Sequence, residues 1–164
     1  MITLTATVFI SVSAVYAQET ATATATATIV TPISITKTVD MNFGNVAVQS
    51  TTAGTVVLTP AGVRSATGGV TLPATAGTVT SATFTVDGEG SYTYSITLPS
   101  SSLVITDGTN TMTVGTFTST PSATGTLSSG TQTLKVGATL NVGAAQPSGV
   151  YTSTTPFDVT VNYN

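Results

Sequence analysis

The sequence contains no cysteine, no histidine and no tryptophan. Without cysteine there is no disulfide, so packing and hydrogen bonds alone must hold the fold, even outside the cell. Histidine and cysteine supply most metal sites and most nucleophile–base pairs, and their absence argues against both kinds of site. We therefore expect no enzymatic activity, no metal and no cofactor.

Charge is also scarce. Only 5% of residues are charged, the formal net charge is −3, and Lys37, Arg64 and Lys135 are the only cations. A nucleic-acid partner requires several side chains that neutralise phosphates, so this partner is excluded, and anionic membrane surfaces are disfavoured for the same reason. The chain also lacks an uninterrupted apolar run of ~20 residues, so we expect no membrane insertion.

Threonine dominates what remains, at about forty of the residues, where an average protein has far fewer. Threonine and valine are β-branched and favour strands, whereas the strong helix formers Glu, Lys, Arg and Leu are rare. No segment keeps an apolar period near 3.6 for more than one turn. The composition therefore predicts an all-β protein.

Short alternating runs are separated by Gly, Pro, Asp and Ser, which is typical of a two-sheet antiparallel sandwich. Two Asp-Gly sequences, in residues 87–90 and at Asp107-Gly108, predict tight hairpins. The predicted strands are residues 55–59, 70–72, 81–86, 92–98, 103–106, 111–118, 131–142, 150–153 and 157–163. The predicted core side chains are Phe84, Val86, Tyr92, Tyr94, Ile96, Leu98, Leu134, Val136, Ala138, Leu140 and Val142.

The first 17 residues predict a secretory signal peptide. Residues 8–17 form a short, mostly apolar run, and residues 15–17 (VYA) resemble a cleavage site before Gln18. No Lys or Arg precedes the run, and Thr alternates with apolar residues from Ile2 to Val8, so a first β-strand is the alternative interpretation.

Three groups of short motifs together resemble a family of bacterial secreted domains of unknown function that is similar to the Mat/Ecp-type fimbrillins. The resemblance covers about residues 21–164. Its landmarks are TPISITK (31–37) followed by MNFG (41–44), FTVDG (84–88) followed by YTYSI (92–96), and VGATL (136–140) followed by GVY (149–151) and FDVTVNYN (157–164).

This resemblance implies a pilin of the chaperone–usher type. Such subunits are immunoglobulin-like sandwiches that lack one strand, and a neighbour's N-terminal extension supplies it by β-augmentation. By this interpretation residues 18–31 are the extension and residues 32–164 the sandwich domain. The chain is then exported through the periplasm into a surface fibre. Its partners are copies of itself, a periplasmic chaperone and an outer-membrane usher.

The resemblance also assigns roles to the two ends of the chain. Residues 20–28 read TATATATAT, and the donor-strand side chains are Ala21, Ala23, Ala25, Ala27 and Ile29. A flexible or O-glycosylated linker is the alternative interpretation of this run. The acceptor strand at the C-terminus presents Phe157, Val159, Val161 and Tyr163, and its alternation equally fits an ordinary sandwich strand.

Asp87 and Glu89 lie two residues apart, and paired carboxylates can perform acid–base catalysis. A solvated turn accounts for them better. The main alternative to a fibre subunit is a secreted β-sandwich module that binds carbohydrate or a matrix protein. Such a module needs exposed aromatic side chains, whereas most of the tyrosines here lie in alternating strand positions.

Overall fold

A computed structural model describes residues 17–164, so the signal peptide predicted for residues 1–17 lies outside the described residues except for Ala17. Within the described residues, every regular element is a β-strand. The expected all-β class is confirmed. The strands are β1 (Ser34–Val39), β2 (Ala47–Val48), β3 (Gly54–Leu58), β4 (Arg64–Gly68), β5 (Val70–Thr71), β6 (Ala82–Asp87), β7 (Thr93–Thr97), β8 (Leu103–Thr106), β9 (Thr111–Thr120), β10 (Thr124–Thr126), β11 (Thr131–Val142), β12 (Thr152–Ser153) and β13 (Thr160–Tyr163).

The strands form two main antiparallel sheets. The larger sheet has the order β1-β6-β11-β9-β8-β12, and β3 and β4 extend it beside β11. The smaller sheet has the order β10-β7-β13, and β2 and β5 form a separate ribbon. The long strand β11 is central, because it pairs with β9 along one edge and with β6 and then β3 along the other.

This strand order is that of an immunoglobulin-like sandwich. In that fold, strands A, B, E and D form one sheet, and strands C, F and G form the other. Here β1, β6, β11 and β9 occupy the places of A, B, E and D, and β7 and β13 those of C and F. The predicted antiparallel sandwich is therefore confirmed. Within residues 17–164, no strand occupies the place of G beside β13.

The core lies between the two sheets and continues inside the curled end of the larger one. Burial of each large apolar side chain contributes roughly 1.5–3 kcal/mol. The predicted core residues of β6 and β11 are all buried, as the alternation of those strands requires. One cluster contains Ala82, Phe84, Val86, Tyr94, Leu127, Leu134, Val136 and Val161. The other contains Val56, Val70, Val114, Ala138, Leu140 and Val142.

One predicted core residue is wrong. Tyr92 is 46% exposed, because it precedes β7 and lies at the rim of the sandwich. Its ring rests against that of Tyr163, with the ring centroids 5.6 Å apart. Ile96 and Leu98, which continue the same alternation, are half-buried against the core.

The predicted runs and the observed strands agree within a few residues. Each predicted run overlaps one strand of the structure. The predicted strands did not include β1, β2, β4 or β10. The sequences of β4 and β10 (RSATG and TGT) contain no alternating apolar residues, so only their pairing with β3 and β7 makes them strands.

The hairpin predicted at residues 87–90 is wrong. β6 and β7 belong to different sheets, and residues 88–92 carry the chain across from one sheet to the other. Both edges of β6 are already occupied, by β1 on one side and β11 on the other. An Asp-Gly sequence indicates that the chain turns, but it does not indicate which sheet the next strand joins.

The hairpin predicted at Asp107-Gly108 is confirmed, because β8 and β9 are antiparallel neighbours. The Asp107 carboxylate accepts hydrogen bonds from the Asn110 side-chain amide at 3.0 Å and from the backbone N–H groups of Asn110 and Thr109 at 2.7 and 2.9 Å. These bonds lower the pKa of Asp107 to about 2. Gly108 has a φ of +100°, a value that most other residues rarely adopt.

The MNFG motif forms a loop that packs beside β4. The Arg64 guanidinium donates hydrogen bonds to the backbone carbonyls of Phe43 and Asn45. Gly44 has a φ of +68°, and a Cβ there would lie 2.3 Å from the Ala76 carbonyl oxygen. The motif is therefore required for the structure of this loop.

Candidate functional site

The residues before β1 stand apart from the sandwich. Residues 17–29 belong to no strand and are all exposed. Ile29, the largest apolar side chain among them, is 96% exposed. The predicted donor side chains, which are Ala21, Ala23, Ala25, Ala27 and Ile29, therefore make no buried contact with their own domain. We call residues 18–31 the extension.

The outer edge of β13 presents unpaired backbone groups. β13 pairs with β7 along its other edge, and the backbone N–H of Asn164 donates to the Thr93 carbonyl at 3.2 Å. Successive residues of an antiparallel strand direct their backbone groups to opposite sides. The N–H and C=O groups of Val161 and Tyr163 therefore point away from β7, where no strand of residues 17–164 pairs with them.

β1 faces this edge. It pairs with β6 along one side only, and its other side adjoins β13 without a hydrogen-bonded ladder in the described residues. Ile33 and Ile35 pack against the core from the β1 side. β1 and β13 therefore lie near each other, each with one free edge, and apolar side chains beside them pack into the core.

The structure brings the predicted acceptor side chains together on one face. Val161 is 8% exposed, and Phe157, Val159 and Tyr163 are half-buried against the same core. The Phe157 ring packs on Phe117, with the ring centroids 5.0 Å apart. The regular strand begins at Thr160 rather than at Phe157, but the inward alternation of the prediction is kept over all four residues.

A hydrogen-bonded cluster holds the point where the extension meets the sandwich. The Glu89 carboxylate accepts hydrogen bonds from the Thr31 backbone N–H at 3.0 Å and from the Thr31 hydroxyl at 2.9 Å. The Tyr163 hydroxyl donates to the Thr31 carbonyl at 2.8 Å and accepts from the Glu89 backbone N–H. We call Thr31, Glu89 and Tyr163 the clasp.

The sequence interpretation missed the clasp, because it treated Glu89 as a solvated turn carboxylate. Thr31 and Glu89 are 58 residues apart, and Thr31 and Tyr163 are 132 apart. No local pattern relates residues so distant in the chain. The crossover of residues 88–92 between the sheets places Glu89 here, where its carboxylate remains accessible to solvent and accepts the two hydrogen bonds of Thr31.

The clasp depends on the ionised form of Glu89. The Thr31 backbone N–H and hydroxyl, with the Gly90 backbone N–H, hold the pKa of Glu89 below its ordinary value of 4.5. A carboxylate with a depressed folded pKa stabilises the fold above its unfolded pKa, and this contribution is lost as the pH falls through the folded value.

Acidification should therefore loosen the clasp. As the pH falls below the ordinary carboxyl pKa of 4.5 and through the lower folded value, the Thr31 amide should lose its protection from hydrogen exchange, because a protonated Glu89 is a weaker acceptor. NMR exchange measurements on Thr31 report this directly. Glu89→Gln keeps a neutral acceptor, so its Thr31 protection should be weaker but independent of pH. Protection in the parent protein that does not change with pH would contradict this role of Glu89.

Outside the clasp and the edge of β13, the described residues offer few features that could form a functional site. Within residues 17–164 there is no group of three or more metal-ligating side chains, and no helix is long and apolar enough to cross a membrane. A cleft of ≈ 450 Å³ lies at the start of β13, at the opposite end from the clasp. Leu98, Leu103 and Phe157 line it, together with serine and threonine side chains.

Comparison with known proteins assigns most of the chain to a family. A family model described as "Domain of unknown function (DUF4402)" matches residues 33–163. The chain belongs to this family. The DUF4402 match contains all the strands, from β1 to β13, and two of the three clasp residues, whereas the exposed part of the extension precedes it. No curated protein and no solved structure matches the chain.

Proposed function

We propose that the chain is a structural subunit of an extracellular fibre, in which the extension of one copy adds a strand to the open edge of β13 in the next copy. The observation that carries this proposal is the combination, in one chain, of an unpaired strand edge at the place of strand G and an exposed, alternating segment outside the sandwich. Addition of an extended segment to a free sheet edge is a common mode of peptide recognition.

The added strand would meet both the backbone and the side-chain requirements of the open edge. Its backbone would pair with the free N–H and C=O groups of Val161 and Tyr163, and its alanines would cover the apolar side chains between β1 and β13. Burial of one methyl group contributes about 0.8 kcal/mol, so four alanines supply only ~3 kcal/mol before ordering costs. Backbone pairing and Ile29 must therefore supply the rest.

Ile29 would also define the register in which the added strand pairs with β13. In an Ala-Thr repeat, a slip of two residues replaces alanine with alanine and keeps the same face inward. Antiparallel addition to β13 would place Ile29 towards the start of that strand, where Leu98, Leu103 and Phe157 line the cleft. These three side chains would give apolar contacts to the one large apolar side chain of the segment.

Ile29→Asp should therefore weaken assembly far more than Ala23→Ser. A full Ile side chain contributes ~1.5–3 kcal/mol when buried, and an unpaired carboxylate in its place adds a further cost. We expect a loss of at least about 30-fold in the affinity of a synthetic peptide of residues 18–31 for a chain that lacks residues 18–30. Calorimetric titration measures it. Equal effects of the two substitutions would mean that the segment is a tether rather than a strand.

The proposal includes secretion and assembly partners. The subunit would leave the cell through the periplasm, and a chaperone would cover the edge of β13 until an usher exchanges it for a neighbour's extension. An exposed, regular edge without lysine is prone to aggregation, which is a physical reason for such protection. Electron microscopy of the native cell surface with an antibody against residues 33–163 tests the location. Labelled material without fibres would favour the binding-module alternative.

A further inference from the structure

We infer that the clasp directs the extension away from the edge of its own β13, so that the strand is accepted by a second copy of the chain. This inference rests on the proposed function. It states which copy supplies the strand. The two grounds for it are the position of Thr31 at the end of β13 and the hydrogen bonds of Thr31 to Glu89 and Tyr163.

The position of Thr31 restricts how the extension can reach its own edge. Thr31 is bonded to Tyr163, the last residue of β13. An extension that ended at this point and lay along its own β13 would run in the same direction as that strand. A neighbour's extension has no such constraint and can enter antiparallel to β13. Antiparallel pairing is the slightly more stable arrangement per residue and the one used by the other strands of this sheet.

To lie along its own β13, the extension would have to fold back at Thr31. The clasp opposes this reversal of the chain. Glu89 holds the N–H and hydroxyl of Thr31, and Tyr163 holds its C=O, so the peptide groups on both sides of Thr31 are fixed. Pro32 follows, and a proline disfavours helical dihedrals in the residue before it. Thr31 is therefore kept extended. In the structure, residues 17–29 are exposed and do not lie on the sandwich.

The absence of cysteine from the sequence makes a direct test available. Asn162→Cys on the exposed face of β13 is combined, in separate whole chains, with Thr22→Cys, Thr24→Cys, Thr26→Cys or Thr28→Cys. A disulfide forms only when the two Cα atoms come within about 7 Å. Oxidation followed by non-reducing electrophoresis then distinguishes links between chains from links within one chain.

Each pair is compared in three backgrounds. The first has the clasp intact. The second carries Glu89→Ala together with Tyr163→Phe, which removes the hydroxyl but keeps the ring that packs on Tyr92. The third carries Tyr151→Phe as the matched control, since this tyrosine hydroxyl bonds to Pro147 and Gln146, away from the clasp. Circular dichroism confirms that each chain is folded.

With the clasp intact, or with Tyr151→Phe, we expect the links to join different chains. With the clasp removed, the ratio of links between chains to links within a chain should fall at least about tenfold, because an intramolecular strand acts at high effective concentration. Links between chains at an unchanged ratio would overturn the inference and leave the proposed function standing. Absence of every link with the clasp intact, at all four positions, would overturn the proposed function and the inference with it.

Discussion

Deletion of residues 18–30 should abolish ordered fibres, while the remaining chain stays folded as a monomer or forms irregular aggregates. Residues 18–29 are exposed, Val30 is half-buried, and none of them belongs to either core cluster, so the sandwich loses none of its core. The edge of β13 and the clasp residue Thr31 both remain. Only the proposed donor segment is removed, and negative-stain electron microscopy shows whether filaments form.

The control replaces residues 18–30 with a Gly/Ser segment of equal length. Such a segment is flexible and has no side chains for the apolar side of the edge, so this chain should also fail to form filaments. Addition of the intact chain in trans should allow short filaments that end where a deleted subunit is incorporated. Ordered filaments from the deleted chain alone would remove the donor-strand proposal.

Joining a copy of residues 20–31 to the C-terminus, after Asn164 and a short flexible linker, should give a soluble monomer with a raised melting temperature. The native residues 18–30 are deleted from this chain, so that the added copy is its only donor segment. A segment that follows β13 through a short loop can turn back and pair antiparallel with it, at high effective concentration. Differential scanning calorimetry measures the gain.

The expected gain follows from the paired edge. In a chain of this size each kcal/mol of stability raises the melting temperature by about 2–4 °C, and we expect an increase of at least about 5 °C. The matched control carries aspartate in place of the added copy of Ile29 and should show a much smaller increase. An unchanged melting temperature would show that the domain is already complete, and the binding-module alternative would then be favoured.

The same physical reasoning predicts that assembled fibres resist heat and denaturant better than isolated subunits. In a lone subunit the backbone groups on the edge of β13 must bond to water, and the apolar side chains beside it remain partly solvated. An inserted strand would pair with these backbone groups and cover these apolar side chains at the same time. Its departure requires the row of hydrogen bonds to break together, which adds a kinetic barrier to unfolding.

Local patterns in the sequence were enough to predict the all-β class, most of the strands and the core of the central sheet. Strand formation and side-chain alternation are local properties, so β-branched residues and a period of two suffice to locate β6 and β11. The same local alternation correctly placed Phe157, Val159, Val161 and Tyr163 on one inward face. The Ala-Thr repeat, too, was recognisable as a segment unlike the sandwich.

The partners of these strands, in contrast, could be read only from the folded chain. The Asp-Gly sequence at residues 87–90 predicted a hairpin, but β6 already has a neighbour on each side, so the chain crosses to the other sheet. That crossover brings Glu89 to Thr31 and Tyr163, and it makes the clasp. Pairing of strand edges and contacts between residues 58 or 132 positions apart depend on which edges remain free after the whole sheet has formed. A local pattern carries no information about that choice, because the free energy that decides it comes from the other strands.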